Sequence, residues 1–182
     1  MTLLAHVGGL FPRNEIGEEV TTSIRFAAPA EAVWQAMLFY EEVPRRPMRL
    51  LRFFLPVPVR TKGEKTRVGA IIECTYEGGH LEKRITEVER PRLVRFEVLI
   101  QRLGIEACIS MDGGSYVFRD VAGGSELALM TAYRGHLRPR WLWRPLERYL
   151  AHRLHRHILD GMRVALESPV PARDAPALGV GE

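Results

Sequence analysis

The sequence lacks the residue clusters and motifs on which most metal-dependent and nucleophilic enzymes depend. Only two of its 182 residues are cysteine, and it contains no Cys-x-x-Cys pair or Cys/His cluster that would form a zinc site. A Ser-His-Asp arrangement, a G-x-G-x-x-G element, a P-loop and an H-E-x-x-H motif are all absent. These absences argue against nucleophilic and metal-dependent catalysis, so we expect no catalytic residues, no metal and no cofactor.

Long apolar runs and a recognisable leader are also missing. No apolar run approaches the roughly 18 residues that a membrane span requires. Residues 1–19 contain a short apolar stretch with no basic residue ahead of it and no clear cleavage site. We interpret them as an N-terminal extension and not as a secretory signal, and we expect a cytoplasmic protein. Residues 168–182 are rich in proline, alanine and glycine, which predicts a disordered tail.

Lysine is scarce, whereas arginine is abundant. Only three of the 26 basic residues are lysines (Lys62, Lys65 and Lys83), and arginines are concentrated in residues 41–67 and 134–163. Codon bias explains such a skew as readily as phosphate recognition does, so we expect no nucleic-acid partner. The sequence does not indicate an oligomeric state.

Apolar and polar residues alternate in a series of short segments, which is typical of half-buried strands. Glycine-rich or proline-containing turns separate most of these segments, which predicts antiparallel pairing. The predicted strands are residues 20–26, 68–76, 81–88, 94–100, 105–111, 116–118 and 126–135, and short helices are predicted over residues 30–39 and 48–55. Cys74 shares a predicted strand face with Ile72 and Tyr76, whereas Cys108 shares one with Glu106 and Ser110. We therefore expect two buried or half-buried thiols and no disulfide between them.

After Pro139 the apolar residues recur at every fourth position. Leu142, Leu146, Leu150, Leu154, Ile158 and Met162 form this series. The spacing predicts one amphipathic helix over residues 139–167, with Leu146, Leu150, Leu154 and Ile158 facing the concave side of the sheet. His152, His155 and His157 alternate with arginines on this helix, which indicates a solvated basic face and not a metal site.

Four pieces of the sequence, in this order and spacing, resemble the SRPBCC superfamily, the steroidogenic-acute-regulatory-like and polyketide cyclase/dehydrase group. They are residues 23–34, 85–98 and 114–127 and the opening of the last helix at residues 139–146. The resemblance covers residues 20–167 and implies one α+β ligand-binding domain with the helix-grip fold. In that fold a curved antiparallel sheet of about seven strands surrounds a long C-terminal helix, with one or two short helices after the first strand. Members of the group carry lipids, bind hormones or quinones, cyclise polyketides or assist chaperones, so the resemblance does not specify a function.

The predicted ligand-binding residues are apolar or aromatic and lie on the predicted strands and the long helix. They are Tyr76, Phe96, Val98, Tyr116, Leu129, Tyr133, Leu150 and Leu154. The three tyrosine hydroxyls are either the polar points of an apolar pocket or ordinary core groups. Lys83 and Glu87 share a strand face, and they are either polar groups in the cavity or part of a strand that is polar on both faces, which is the favoured interpretation.

These patterns favour the binding or transport of a hydrophobic small molecule, such as a lipid, quinone or polyketide-like compound, in an internal apolar cavity. The alternative is a cyclase or dehydratase that acts on an aromatic or polyketide substrate in the same cavity. Such an enzyme needs several inward polar groups. Two series of residues are predicted to face inward, and neither contains a polar group. They are Val94, Phe96, Val98 and Ile100, and then Ile105, Ala107 and Ile109. A protein-interaction module is a third alternative.

Two segments combine aromatic residues with arginines and indicate a weak contact with an anionic membrane surface. Residues 48–55 contain six apolar residues with Arg49 and Arg52, and Trp141 and Trp143 stand beside arginines at the start of the long helix. Burial of the same aromatic rings under the rim of the sheet would explain the pattern equally well.

Overall fold

The computed structural model describes residues 17–39 and 58–167. The prediction of a helix and membrane contact over residues 48–55 lies outside the described residues, as do the predicted tail over residues 168–182 and all but the end of the predicted N-terminal extension.

The described part of the chain contains seven strands and two helices. The strands are β1 (Glu18–Phe26), β2 (Pro58–Lys62), β3 (Ile71–Tyr76), β4 (Gly79–Glu89), β5 (Leu93–Arg102), β6 (Ile109–Val121) and β7 (Gly124–Gly135), and the helices are α1 (Ala30–Phe39) and α2 (Arg140–Glu167). The strands form one curled antiparallel sheet in the order β1-β7-β6-β5-β4-β3-β2. Because α2 packs on β1, β7 and α1, the predicted helix-grip architecture is confirmed.

The predicted number of strands is right only because two errors cancel. Strand β2 is not predicted, since Pro56 and Pro58 suggested an interruption. It is the edge strand of the sheet, where proline is tolerated as a first residue because no neighbour needs its missing N–H. Conversely, residues 105–111 and 116–118 were predicted as two strands, whereas β6 runs unbroken from Ile109 through the glycines to Val121.

Gly113 and Gly114, in the middle of β6, lie at a bulge and at a close contact with Phe96, and they do not form a turn. The register of β6 on β7 shifts between Met111 and Gly113. A Cβ atom added at Gly114 would lie 2.8 Å from Cζ of Phe96 and closer still to the carbonyl oxygen of Met130. Glycine at position 114 therefore lets the Phe96 ring lie directly over the backbone of β6.

The predicted strand over residues 105–111 is wrong in its first half. The N–H groups of Cys108 and Ile109 both donate to the carbonyl of Ile105, at 2.8 and 2.9 Å, so this segment turns before β6 begins. Ala107 and Cys108 are exposed there, and Cys108 is not the buried or half-buried thiol that was expected.

A bulge in the pairing of β4 with β5 separates Glu87 from Lys83. Lys83 pairs with Val98 and Ile85 with Phe96, but the register then shifts and Glu87 pairs with Arg95, with which it also forms an ion pair. The half-buried Lys83 therefore faces the concave side with Ile85, whereas Glu87 faces the outer side. The favoured interpretation of this strand as polar on both faces is wrong for Lys83.

A second shift in the same ladder turns Ile100 away from the core. Ile100 pairs with Glu82, directly after the pair formed by Val98 and Lys83, so Leu99 is an extra residue on β5. Ile100 is 37% exposed, and its predicted inward orientation is wrong because the extra residue reverses the alternation.

The apolar series on α2 winds around the helix instead of following one face. Four residues advance about 40° beyond a full turn at 3.6 residues per turn, so the series rotates by about 200° between Leu142 and Met162. Leu142 is 51% exposed, whereas Met162 is fully buried. The predicted inward face is therefore wrong at Leu146, which is also exposed, and correct at Ile158, which packs against the core.

Candidate functional site

A pocket lies on the concave face of the sheet, between α1 and strands β2 to β6. Among the described residues, its walls are mostly apolar, with two lysines, a threonine, a cysteine and a tyrosine as the polar groups. The described residues that line it are Met37 of α1, Thr61 of β2, Lys65 of the β2–β3 loop, Ile72 and Cys74 of β3, Lys83 and Ile85 of β4, Val94 and Phe96 of β5, and Tyr116 of β6. We call this the concave pocket.

The two lysines of the concave pocket are held differently. The Nζ atom of Lys65 donates to the carbonyl oxygens of Met37 and Leu38, at 3.3 and 3.1 Å, and so satisfies carbonyls at the C-terminal end of α1. The Nζ atom of Lys83 lies 4.6 Å from the centroid of the Phe96 ring, within the range of a cation–π contact. Lys65 therefore stabilises the wall of the pocket, and Lys83 places a positive charge against its aromatic part.

Phe96 and Tyr116 form the aromatic wall of the concave pocket. Their ring centroids are 6.2 Å apart and the rings are inclined by 41°, which is a favourable tilted arrangement. On the other side, the hydroxyl of Thr61 donates to the sulfur of Cys74 at 3.7 Å. The buried Cys74 thiol thus confirms the expectation made for this cysteine, and neither cysteine forms a disulfide.

The space within the concave pocket is small. Its volume is about 30 Å³, which is enough for one or two water molecules. Sites for drug-sized ligands usually have volumes of about 300 Å³ or more. An organic ligand therefore requires the concave pocket to widen.

The predicted ligand-binding residues fall into three groups. Phe96 and Tyr116 line the concave pocket. Leu129 is buried in the adjoining core, where Tyr76 and Val98 pack half-buried. Leu150 and Leu154 are half-buried on α2 outside that core cluster, and Tyr133 is buried in a different environment, described below.

Sequence reasoning missed several residues that line the concave pocket. The alternation of Ile72 and Cys74 with polar neighbours was sufficient to place them on the inner face of β3. Met37 could have been inferred from its helical spacing with Trp34. Thr61 and Lys65 could not, because β2 and the loop after it have no clear periodicity.

An ion-pair cluster joins the start of α2 to the start of β1. Arg140 donates to Glu18 and to Glu147, at 2.7 Å in each case, and Arg144 donates to Glu18 at 2.8 Å. Burial opposes ionisation of Glu18, but the hydrogen bonds from Arg140 and Arg144 outweigh it and hold the pKa of Glu18 below its usual value. We call Glu18, Arg140, Arg144 and Glu147 the terminal ion cluster.

The Tyr133 hydroxyl lies beside the terminal ion cluster and not in the concave pocket. It is buried and has no hydrogen-bond partner among the described residues. Burial, together with the negative charges of Glu18 and Glu147, raises the pKa of Tyr133 to about 12. The hydroxyl therefore stays protonated at neutral pH.

His155 is buried on the inner side of α2, and its predicted place on a solvated basic face is wrong. Nε2 lies 2.8 Å from the Thr131 hydroxyl and Nδ1 lies 3.1 Å from the Thr22 hydroxyl, which also contacts His152 at 2.7 Å. Burial, with a smaller contribution from His152, lowers the pKa of His155 to about 4. The imidazole is therefore neutral at physiological pH and bridges α2 to β1 and β7.

The described residues contain neither a metal-binding cluster nor a membrane-spanning helix. Within residues 17–39 and 58–167, three or more histidine, cysteine or acidic side chains do not cluster in a way that could hold a metal ion. Neither described helix is long and apolar enough to cross a membrane.

Sequence comparison finds no matching family model and no matching curated protein, whereas structural comparison finds clear similarities. The chain is similar to an aromatase/cyclase from a Streptomyces species, with a TM-score of 0.59 and 13% identity over 86% of this chain and 97% of that one. It is similar to norcoclaurine synthase from Thalictrum flavum in complex with dopamine and hydroxybenzaldehyde, with a TM-score of 0.53 and 13% identity over 83% of this chain and 84% of that one. The Aha1 dimer from Colwellia psychrerythraea gives a TM-score of 0.53 and 14% identity over 82% of this chain and 96% of the other.

Proposed function

Because the chain has the helix-grip fold that the SRPBCC superfamily shares, we propose that it binds an apolar small molecule in the concave pocket. The observation that carries this proposal is the composition of the pocket wall, in which one helix and three strands direct Met37, Ile72, Ile85, Val94 and Phe96 toward one space. A concave apolar surface with a few convergent polar groups is the usual form of a small-molecule site.

Ligand uptake requires the concave pocket to widen beyond its small volume. Three of the lining side chains, those of Met37, Lys65 and Lys83, are long and unbranched, and they can change rotamer without moving the sheet. Displacing them exposes the apolar walls formed by Ile72 and Ile85, whose contact with a ligand then contributes roughly 25 cal/mol per Å² of area removed from water.

The test is uptake of the neutral fluorophore N-phenyl-1-naphthylamine, whose emission increases in an apolar environment. We expect saturable uptake by the wild type and its loss in Phe96→Asp, because a carboxylate would then lie in the apolar wall. Leu99→Asp is the matched control, since the same charge is introduced on the same strand at a residue that is 38% exposed.

Thr61→Phe gives a second variant at the edge of the sheet, where a larger ring narrows the concave pocket with little effect on the core. Uptake that persists in both pocket variants while circular dichroism shows a folded protein would contradict the proposal.

An enzymatic function in the same pocket is a second candidate. One structural observation supports it more strongly than the sequence does. Lys83, Tyr116, Thr61 and Cys74 all line the concave pocket, whereas the two series of residues predicted to face inward from 94–100 and 105–109 contain no polar group. Two of the structural neighbours are an aromatase/cyclase and a norcoclaurine synthase. Chromatography and mass analysis of a recovered polyketide-like ligand separate the two functions, because a carrier returns it unchanged, a dehydratase returns it lighter by one water, and a cyclase returns an isomer of the same mass with a different retention time.

We also propose a weak contact with anionic membranes through the outer face of the first half of α2. Trp141 is 77% exposed and Tyr149 is 49% exposed, and Leu142 and Leu146 lie between them. Aromatic rings at headgroup depth with nearby arginines such as Arg144 suit an anionic lipid surface.

Vesicle co-sedimentation at low salt tests this contact. We expect more protein on vesicles containing phosphatidylserine than on phosphatidylcholine vesicles, and loss of the difference in Trp141→Ala with Tyr149→Ala. Val68→Ala, at an exposed apolar residue between β2 and β3, is the control. Equal retention on both vesicle types would contradict the contact.

A further inference from the structure

We propose that Lys83 makes the concave pocket selective for apolar, aromatic ligands that carry a carboxylate. This inference rests on the proposed function, because it concerns which ligand the same pocket takes.

The charges of the pocket wall are all of one sign. Two cations, Lys65 and Lys83, are among the described residues that line it, and no aspartate or glutamate is among them. The bulge in β4 produces this asymmetry, since it leaves Lys83 on the concave face and turns Glu87 outward to Arg95. A wall whose described charged residues are all cations attracts an anion and disfavours a cation.

The two cations do not contribute equally to this preference. The ammonium of Lys65 is already directed to the carbonyls at the end of α1. The ammonium of Lys83 lies over the face of Phe96, in the same aromatic wall that a planar ligand would contact. Its three N–H donors sit on a flexible stem, so it can retain the ring contact or turn toward a ligand carboxylate.

The surroundings strengthen that interaction. Ile85 and Val94 flank Lys83 and Phe96 in the wall, and an apolar environment makes a charge-assisted hydrogen bond stronger than it is in water. The tilted rings of Phe96 and Tyr116 supply the surface for an aromatic body. The site therefore combines an aromatic wall with one cation, which is the complement of an aromatic acid.

The experiment compares two probes with the same ring system, 2-naphthoate and the neutral 2-naphthalenemethanol, as competitors of N-phenyl-1-naphthylamine at neutral pH. We expect the wild type to bind naphthoate about tenfold more tightly than the alcohol. Lys83→Met should remove this preference and leave alcohol binding unchanged. Lys62→Met is the matched control, because Lys62 is exposed on β2 and does not line the pocket.

Because the sequence contains only three lysines, the NMR signal of the Lys83 side chain can be followed directly. Reductive methylation with [13C]formaldehyde retains the charge of each lysine and gives one signal for each, and Lys62→Met and Lys83→Met assign two of them. We expect naphthoate to shift the Lys83 signal and to leave the Lys62 signal in place.

The outcomes separate the two proposals. If the alcohol and naphthoate compete equally well in the wild type, or if naphthoate leaves the Lys83 signal unmoved at saturation, carboxylate selectivity is wrong and the binding function stands. If neither N-phenyl-1-naphthylamine nor either competitor binds, the binding function itself fails. If Lys83→Met does not fold, Lys83→Gln and the wild-type methyl signals still decide the question.

Discussion

The two halves of α2 are held to the rest of the molecule by different forces. Its C-terminal half packs into the core, where Leu159 and Met162 are fully buried. Its N-terminal half is held by the terminal ion cluster and exposes an apolar outer face that includes Trp141 and Leu142. One helix is thus secured by packing at one end and by charge pairing at the other, so different perturbations should loosen each end.

The largest effect should come from removing core volume at the C-terminal half. Leu159→Ala should lower the free energy of unfolding by about 2–5 kcal/mol, because it deletes buried methyl groups and leaves a cavity. The same substitution at the exposed Leu146 should cost less than about 1 kcal/mol. Urea denaturation measures both, and equal losses would show that the halves do not differ in packing.

The next largest effect should come from the N-terminal half. Arg140→Met leaves Glu18 and Glu147 without their shared partner, and both carboxylate side chains are almost completely buried. We expect a loss of about 3 kcal/mol in the free energy of unfolding, since breaking a buried ion pair strands a charge.

Two controls accompany Arg140→Met. Arg67→Met removes an exposed pair with Glu64 and should cost less than about 1 kcal/mol. Replacing Glu18 and Glu147 by glutamine together with Arg140→Met should restore much of the loss, because no charge is then left buried. If the triple variant is no more stable than Arg140→Met, the stranded-charge explanation is wrong.

Acid should weaken the two halves over different pH ranges. His155 has a folded pKa of about 4, below its unfolded value of about 6.5, so the unfolded chain binds more protons and stability falls as pH decreases through this interval. The expected loss is about 2 kcal/mol between pH 7 and pH 5. The pKa of Glu18 is instead lowered from 4.5, so the contribution of the terminal ion cluster is present above that pH and is lost at lower pH.

Urea denaturation at several pH values distinguishes these groups. His155→Gln should flatten the slope of stability between pH 7 and pH 5, whereas His136→Gln, at an exposed histidine beside Ser110, should leave it unchanged. An unaltered slope in His155→Gln would mean that another group causes the acid sensitivity.

The smallest effect should come from Tyr133→Phe. The substitution removes a buried hydroxyl that has no hydrogen-bond partner among the described residues, and an unsatisfied buried polar group is unfavourable. We expect stability to be unchanged or to increase by up to about 1 kcal/mol. A clear loss in thermal or urea denaturation would show that the hydroxyl has a partner in solution.

The sequence predicted the elements of this molecule better than their orientation. Strand alternation identified β1, β3, β4, β5 and β7, and the long helix was found from its spacing. The face of α2 was wrong at Leu146 because a series with a period of four winds around a helix with 3.6 residues per turn. Periodicity alone therefore locates a helix without fixing which side meets the core.

The candidate site was predicted only in part, for a related reason. Phe96 and Tyr116 follow simple alternation, and both line the concave pocket. Lys83 and Glu87 share a face only in a strand without irregularities, and the bulge that separates them has no signal in the sequence. The outward orientation of Glu87, which keeps a carboxylate out of the described pocket wall, thus depends on a local backbone shift that side-chain patterns do not report.

Strands β5 and β6 pair over only part of their length. Backbone contact between them extends from Arg92 to Glu97, and beyond that point the Gln101 side chain spans the gap, bonding the carbonyl of Ile109 at 2.9 Å and the N–H of Met111 at 2.7 Å. Phe96 lies on β5 and Tyr116 on β6, so we expect a small change in the angle between these strands to separate the two rings and to enlarge the space between them. Faster amide hydrogen exchange in Gln101→Met at Gly114, which pairs with Phe96, with unchanged exchange at Tyr116, which pairs with Val94, would show that β5 and β6 separate first at that end.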